Sequence, residues 1–182
     1  TIPYTESVIT GAFGNAASPF SSSLSPGTWT FCKGTYYVNE LRLSGSGTIK
    51  GATTNPADVV FSGGTTNESV FALTSGSLTL ANMTIEDGVG SGSFFDNSTT
   101  IYDNSGGGIN CYGTATAKAT LTVDNVELTG NTANTTATVF GFGAGISATY
   151  CDVSLTDVDI NDNTANYAPA IALVDGNLNM SN

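Results

Sequence analysis

Histidine is absent from this chain, and lysine and arginine together number only 4 against 15 aspartates and glutamates. The missing imidazole excludes a Ser/His triad and a Cys/His nucleophile pair, because each needs it to carry the proton. A net charge of −11 works against nucleic acid and anionic membranes, since either partner calls for cations that neutralise phosphate. No run of about 18 apolar residues occurs, so no segment reads as a helix that would cross a bilayer. No basic segment followed by an apolar one opens the chain, and Thr1 reads as a mature start from which any signal peptide has gone. Charged residues make up 10%, well under the roughly 25% of an ordinary soluble domain. No GxSxG or P-loop pattern is found, and no helical pattern follows Gly106-Gly107-Gly108, which reads as a corner and not as a phosphate cradle.

Cysteine is scarce and odd in number, at Cys32, Cys111 and Cys151. No CxxC spacing accompanies it, which argues against zinc. Two readings stand. The three are small buried hydrophobes, or Cys111 and Cys151 form a disulfide between neighbouring repeats, with Cys32 buried or paired beyond this chain.

What the chain does have is a repeat. Leu78-x-Leu80-Ala-Asn82-Met83-x-Ile85 returns as Leu121-x-Val123-Asp-Asn125-Val126-x-Leu128. It returns again as Val153-x-Leu155-Thr-Asp157-Val158-x-Ile160 and starts once more as Leu178-x-Met180-Ser-Asn182. Each copy reads as two short strands of alternating polarity around a corner, the mark of a solenoid. The copies lie 43, 32 and 25 residues apart, the last close to one turn of a three-sided solenoid. Residues 89–105 and 132–142 read as insertions that lengthen the other two. Gly106-Gly107-Gly108-Ile109, Gly143-Ala144-Gly145-Ile146 and Ala168-Pro169-Ala170-Ile171 mark a second, tight corner in successive copies.

Stacking the copies predicts four interior columns. They are Leu78, Leu121, Val153 and Leu178; Leu80, Val123, Leu155 and Met180; Met83, Val126 and Val158; and Ile85, Leu128 and Ile160. At the corner, Asn82, Asn125, Asp157 and Asn182 are expected to line up as an asparagine ladder, each amide bonding the turn and its neighbour one repeat away. Asp157 interrupts it, because a carboxylate accepts but does not donate.

These residues resemble right-handed parallel β-helix proteins of the pectin-lyase-like superfold. The stretch from Gly27-Thr-Trp-Thr-Phe31 through Gly47-Thr-Ile-Lys-Gly51 looks like the first turn of such a domain. The Gly-rich markers, with Phe94-x-x-Asn97, Leu128-x-x-Asn131 and Ile160-x-x-Asn163, are similar to the GGA[I/L/V] and FxxN repeats of polymorphic outer-membrane proteins. The resemblance covers about residues 27–182. It implies an all-β, right-handed parallel β-helix over 27–182, incomplete at its C-terminus, with 1–26 as an N-terminal arm or cap. The superfold hosts lyases, hydrolases, adhesins and structural surface proteins, so it does not choose among functions.

Candidate chemistry is sparse. A lyase of that superfold would imply a calcium cluster with an Arg or Lys base, and the one arginine, Arg42, lies in the first turns, far from the acid-rich third copy. Asp159 falls over Glu127 when the copies are stacked. With Asp157 these carboxylates form a candidate acid and base pair, or a weak calcium site. Outward acids more often act as solvated charge that keeps strands from pairing sideways. Phe94, Phe95, Tyr102, Phe140 and Phe142 are candidate glycan contacts, with burial on the flank as the alternative. Asn67, Asn97 and Asn134 are candidate N-glycosylation sites in loop-like stretches. The chain is therefore expected to be a non-enzymatic, extracellular or cell-surface structural or adhesive protein without a cofactor. Its expected partners are copies of itself or related surface proteins, stacked end to end, with glycans as further candidates and without nucleic acid or membrane insertion. A carbohydrate-binding adhesin is the second expectation, and a polysaccharide-degrading enzyme the third.

Overall fold

The computed structural model describes residues 14–15, 18–24, 26–64, 68–90, 92–95, 101–133 and 140–182, with backbone alone for 14–15, 18–22, 92–95 and 101–104. Alternation of branched apolar and small polar residues turns most of this length into strand. The first five strands are β1 (Gly14–Asn15), β2 (Ser18–Leu24), β3 (Gly27–Phe31), β4 (Gly34–Gly51) and β5 (Val59–Ser62). A single 3-10 turn at Pro56–Asp58 precedes β5, and the Asn55 side chain caps it by accepting from Ala57 N–H. Then come β6 (Phe71–Glu86), β7 (Gly92–Phe95), β8 (Ile101–Ser105), β9 (Ile109–Tyr112) and β10 (Ala119–Thr129). The last four are β11 (Ile146–Thr149), β12 (Cys151–Asn161), β13 (Ile171–Val174) and β14 (Leu178–Ser181).

Twelve of these strands belong to one large sheet, which runs β1-β2-β4-β5-β6-β10-β12-β14 with β3, β9, β11 and β13 attached. Its pairings are parallel apart from the short β1–β2 contact. Parallel neighbours need long connections, which the repeat spacing supplies. β2 pairs with β4 at Phe20↔Val38 and again from Ser22↔Leu41 to Leu24↔Leu43, so part of the N-terminal stretch joins the same sheet.

Register follows the repeat. Leu78, Leu121, Val153 and Leu178 are successive neighbours, as are Leu80, Val123, Leu155 and Met180. Met83, Val126 and Val158 form a third row, and Ile85, Leu128 and Ile160 a fourth. The Gly-rich markers align Phe71, Ile109, Ile146 and Ile171 in a fifth. On alternate positions Thr48, Thr79, Thr122 and Ser154 form a half-exposed row of hydroxyls.

The inner rows are fully buried from Leu41 to Leu155. Phe31, Tyr36, Phe61 and Phe71 fill the N-terminal part, with ring centroids 4.9 to 5.2 Å apart, and aliphatic rows take over from β6 onward. Tyr36 donates its hydroxyl to the Cys32 carbonyl at 2.7 Å, and burial, aided by Cys32, pushes its phenol up to about 12.

Three details differ from the sequence reading. The two short strands expected in each copy are one element, because the corner is a single left-handed residue and pairing resumes at once beyond it. The insertions are shorter than expected: Val89, Thr132 and Thr164 bridge one another in parallel, and so do Phe142 and Tyr167. Most of the first insertion is an antiparallel hairpin of β7 and β8, pairing Phe94 with Tyr102. Phe94-x-x-Asn97 is therefore not an equivalent of Leu128-x-x-Asn131. Register gives that place to Ile85-Glu-Asp-Gly88.

Candidate functional site

The residues with most to hold together are polar and sit at the corners. Asn82, Asn125 and Asp157 adopt φ of 57, 51 and 50°, a left-handed conformation that Asn and Asp tolerate better than other side chains. Asn125 Nδ2 donates to Asn82 Oδ1 at 2.8 Å and to the Thr54 carbonyl at 2.7 Å. Asp157 stands at the same corner, and Asn182, also in the expected ladder, is exposed beyond β14.

A second corner holds a tighter ladder. Asp87, Gly130 and Asp162 are left-handed at φ 55, 65 and 51°, and Gly88, Asn131 and Asn163 follow them. Gly88 N–H donates to Asn131 Oδ1 at 3.0 Å, and Asn131 N–H donates to Asn163 Oδ1 at 2.9 Å. Each amide nitrogen also reaches back one level. Asn131 Nδ2 donates to the Ile85 carbonyl at 3.0 Å, and Asn163 Nδ2 to the Leu128 carbonyl at 2.8 Å. Asn131 is fully buried. Gly88 is held to glycine by space, since a Cβ there would lie 2.0 Å from the Gly107 carbonyl oxygen. Sequence reasoning quoted Asn131 and Asn163 only as parts of a motif; their apolar-x-x-Asn spacing was the signal that could have shown the ladder.

Beside the first corner lies a groove of ≈ 270 Å³ between the 3-10 turn and the outer face of β10 and β12, lined by Asn55, Pro56, Ala57, Asn125, Val126, Glu127, Asp157 and Asp159. Glu127 is the register neighbour of both Thr84 and Asp159, and its Oε1 accepts from Asn161 Nδ2 at 3.5 Å. The structure thus brings the three candidate carboxylates to one groove. Among the described residues, no group of three or more His, Cys, Asp and Glu side chains converges as a metal site. Nearby, burial raises the Glu86 carboxyl above its usual range, with Asp87 and Glu127 adding like charge.

Aromatic side chains gather elsewhere. Tyr167 stacks on Phe142, with centroids 5.1 Å apart and planes 16° from parallel, and Phe140 leans on the same ring at 5.7 Å. Phe140 and Tyr167 are 42% and 52% exposed, so they form an open apolar surface. Tyr167 was not among the candidate contacts, although it follows Phe142 at the 25-residue spacing of the markers. Phe94, Phe95 and Tyr102 are described in backbone only. Asn67, Asn97 and Asn134 lie outside the described residues.

Cys111 on β9 and Cys151 at the start of β12 form a disulfide, with both residues fully buried and Cα atoms 6.1 Å apart. The bond joins one level of the sheet to the next, and a buried bridge of this kind points to an oxidising compartment. Cys32 is a half-exposed free thiol. With this geometry in hand, the chain was compared with known proteins. No family model, curated protein or solved structure matches it.

Proposed function

We propose that the chain winds as a right-handed, three-sided parallel β-helix and serves outside the cell as a non-enzymatic structural or adhesive surface component. In this reading it extends by adding parallel strands at the edge formed by β13 and β14, supplied by copies of itself or by related surface proteins. One observation carries it. The inner rows run buried through β6, β10 and most of β12, then emerge at Leu178 and Met180, which are 39% and 67% exposed. A strand laid in register there would continue both rows and pair the edge backbone. The disulfide suits an extracellular setting, and the absence of histidine leaves the acidic groove without its usual proton carrier.

Electron microscopy and sedimentation of the purified chain over a range of concentrations test this. Regular fibres or concentration-dependent end-to-end oligomers are the expected result, and discrete monomers at every concentration would overturn it. The enzyme alternative is tested by replacing Glu127, Asp157 and Asp159 together with Ala: any polysaccharide-cleaving activity that depends on all three would revive it.

The stacked pair Phe142 and Tyr167, with exposed Phe140 beside it, favours glycan binding as the second reading, because sugar rings stack on such faces. Binding on a glycan array that is lost in Tyr167→Ala would support it, and a silent array would count against it.

A further inference from the structure

The second corner carries a feature that repeats level by level and ends in an open place. At each level, a left-handed residue is followed by a position whose backbone N–H points toward the next level. Gly88 N–H is met by Asn131 Oδ1, and Asn131 N–H is met by Asn163 Oδ1. Three residues earlier stands a carbonyl that faces the same way. Ile85 O is met by Asn131 Nδ2, and Leu128 O by Asn163 Nδ2. Both levels therefore offer one donor and one acceptor, and both are filled by one primary carboxamide from the next level. A side-chain amide supplies the required acceptor and donor on a single planar group.

At the last level the same register presents Asn163 N–H and the Ile160 carbonyl. They border a groove of ≈ 210 Å³ lined by Ile160, Asn161, Asp162, Asn163, Pro169 and Ala170. β14 pairs with β12 only over Val153–Thr156, so it stops short of this groove. Asp162 is left-handed at φ 51°, as Asp87 and Gly130 are, so the backbone bend that aims the N–H is already formed.

We propose that this groove is a socket for the asparagine side chain of a partner polypeptide that adds as a parallel strand. The partner segment would read apolar-x-(Gly or Asp)-Asn, its apolar residue covering Ile160 and its Gly or Asp taking the left-handed turn. Its Oδ1 accepts from Asn163 N–H and its Nδ2 donates to the Ile160 carbonyl. Glutamine does not substitute, because one more methylene moves the amide off both groups. Aspartate does not either, since it has no donor for the carbonyl and brings a carboxylate beside Asp162. The inference rests on edge addition as proposed above and specifies which strand the edge accepts.

The probe is a synthetic peptide copied from residues 126–133, which carries Leu128, Gly130 and Asn131, titrated into the isotopically labelled, intact chain. The expected result is a shift of the Asn163 backbone amide resonance, with binding about tenfold or more weaker for the Asn131→Ala peptide, the effect of losing two modest hydrogen bonds. The Asn131→Asp peptide should bind at least as weakly as the Ala version. Equal binding of the Asn and Ala peptides would overturn the socket while leaving edge addition standing. Failure of every peptide to move the Asn163 amide, in a chain that still forms fibres, would also overturn the socket and not the assembly.

Discussion

Asn131 shows how much one residue does here. Its side chain makes three hydrogen bonds at 3.0 Å, to Gly88 N–H, the Ile85 carbonyl and Asn163 Oδ1, with no exposure to solvent. Asn131→Ala strands a buried N–H and carbonyl as well as losing the bonds, and should cost about 3 kcal/mol in urea unfolding. Glu86 works in the opposite direction. Burial and the charges of Asp87 and Glu127 raise its pKa, so the native state holds its proton more tightly than the unfolded chain does. The corresponding stability is present at low pH and lost as pH rises through the native value, which leaves a net cost at neutral pH. Glu86→Gln should therefore raise the melting temperature at pH 7, and the gain should disappear near pH 4, as thermal scans at both pH values would show.

Among the elements, the bent strands β6, β10 and β12 define the architecture. Each flanks its corner with two inward apolar residues, and the corner itself needs only one left-handed residue. Alternation along the chain specifies which residues point inward, so the rows of Leu, Val and Ile could be read directly from the repeat. Gly76 supports the geometry in another way: at φ +82° a Cβ would lie 2.0 Å from the Gly45 carbonyl oxygen, so two levels touch there through bare backbone. The Cys111–Cys151 bridge closes a sequence separation of 40 residues. Constraint of the unfolded chain on that scale is worth about 2–4 kcal/mol. Cys111→Ala with Cys151→Ala should lose that amount in urea unfolding while circular dichroism keeps its β signature, since the rows on either side remain.

At the scale of the molecule, the core changes character along its length. Aromatic packing of Phe31, Tyr36, Phe61 and Phe71 gives way to aliphatic rows, which become exposed at β14. Under the assembly proposed above, a charge on this edge is the simplest block, as charged edge residues are a general defence against strand addition. Met180→Lys should abolish fibres or end-to-end oligomers in sedimentation. Because Met180 is 67% exposed, the same variant should keep the melting temperature of the parent chain within about 1 °C.

The sequence by itself determined the inward rows, the parallel register of the copies and the corner residues, because each is a consequence of local period and of which residues accept a left-handed backbone. It also placed Glu127 beside Asp159, since register carries one copy onto the next. The tertiary structure decided what local pattern does not encode. Phe94-x-x-Asn97 looks like a ladder motif, yet its strand pairs back on β8, because hairpin closure inside an insertion competes with stacking on a distant level. The weight of Asn131 and Asn163, set against the more visible Asn82 and Asn125, depends on which amides are buried between levels and which face solvent, and burial is a property of the packed sheet. Tyr167 meets Phe142 across 25 residues of chain for the same reason: the contact exists only once the levels are stacked.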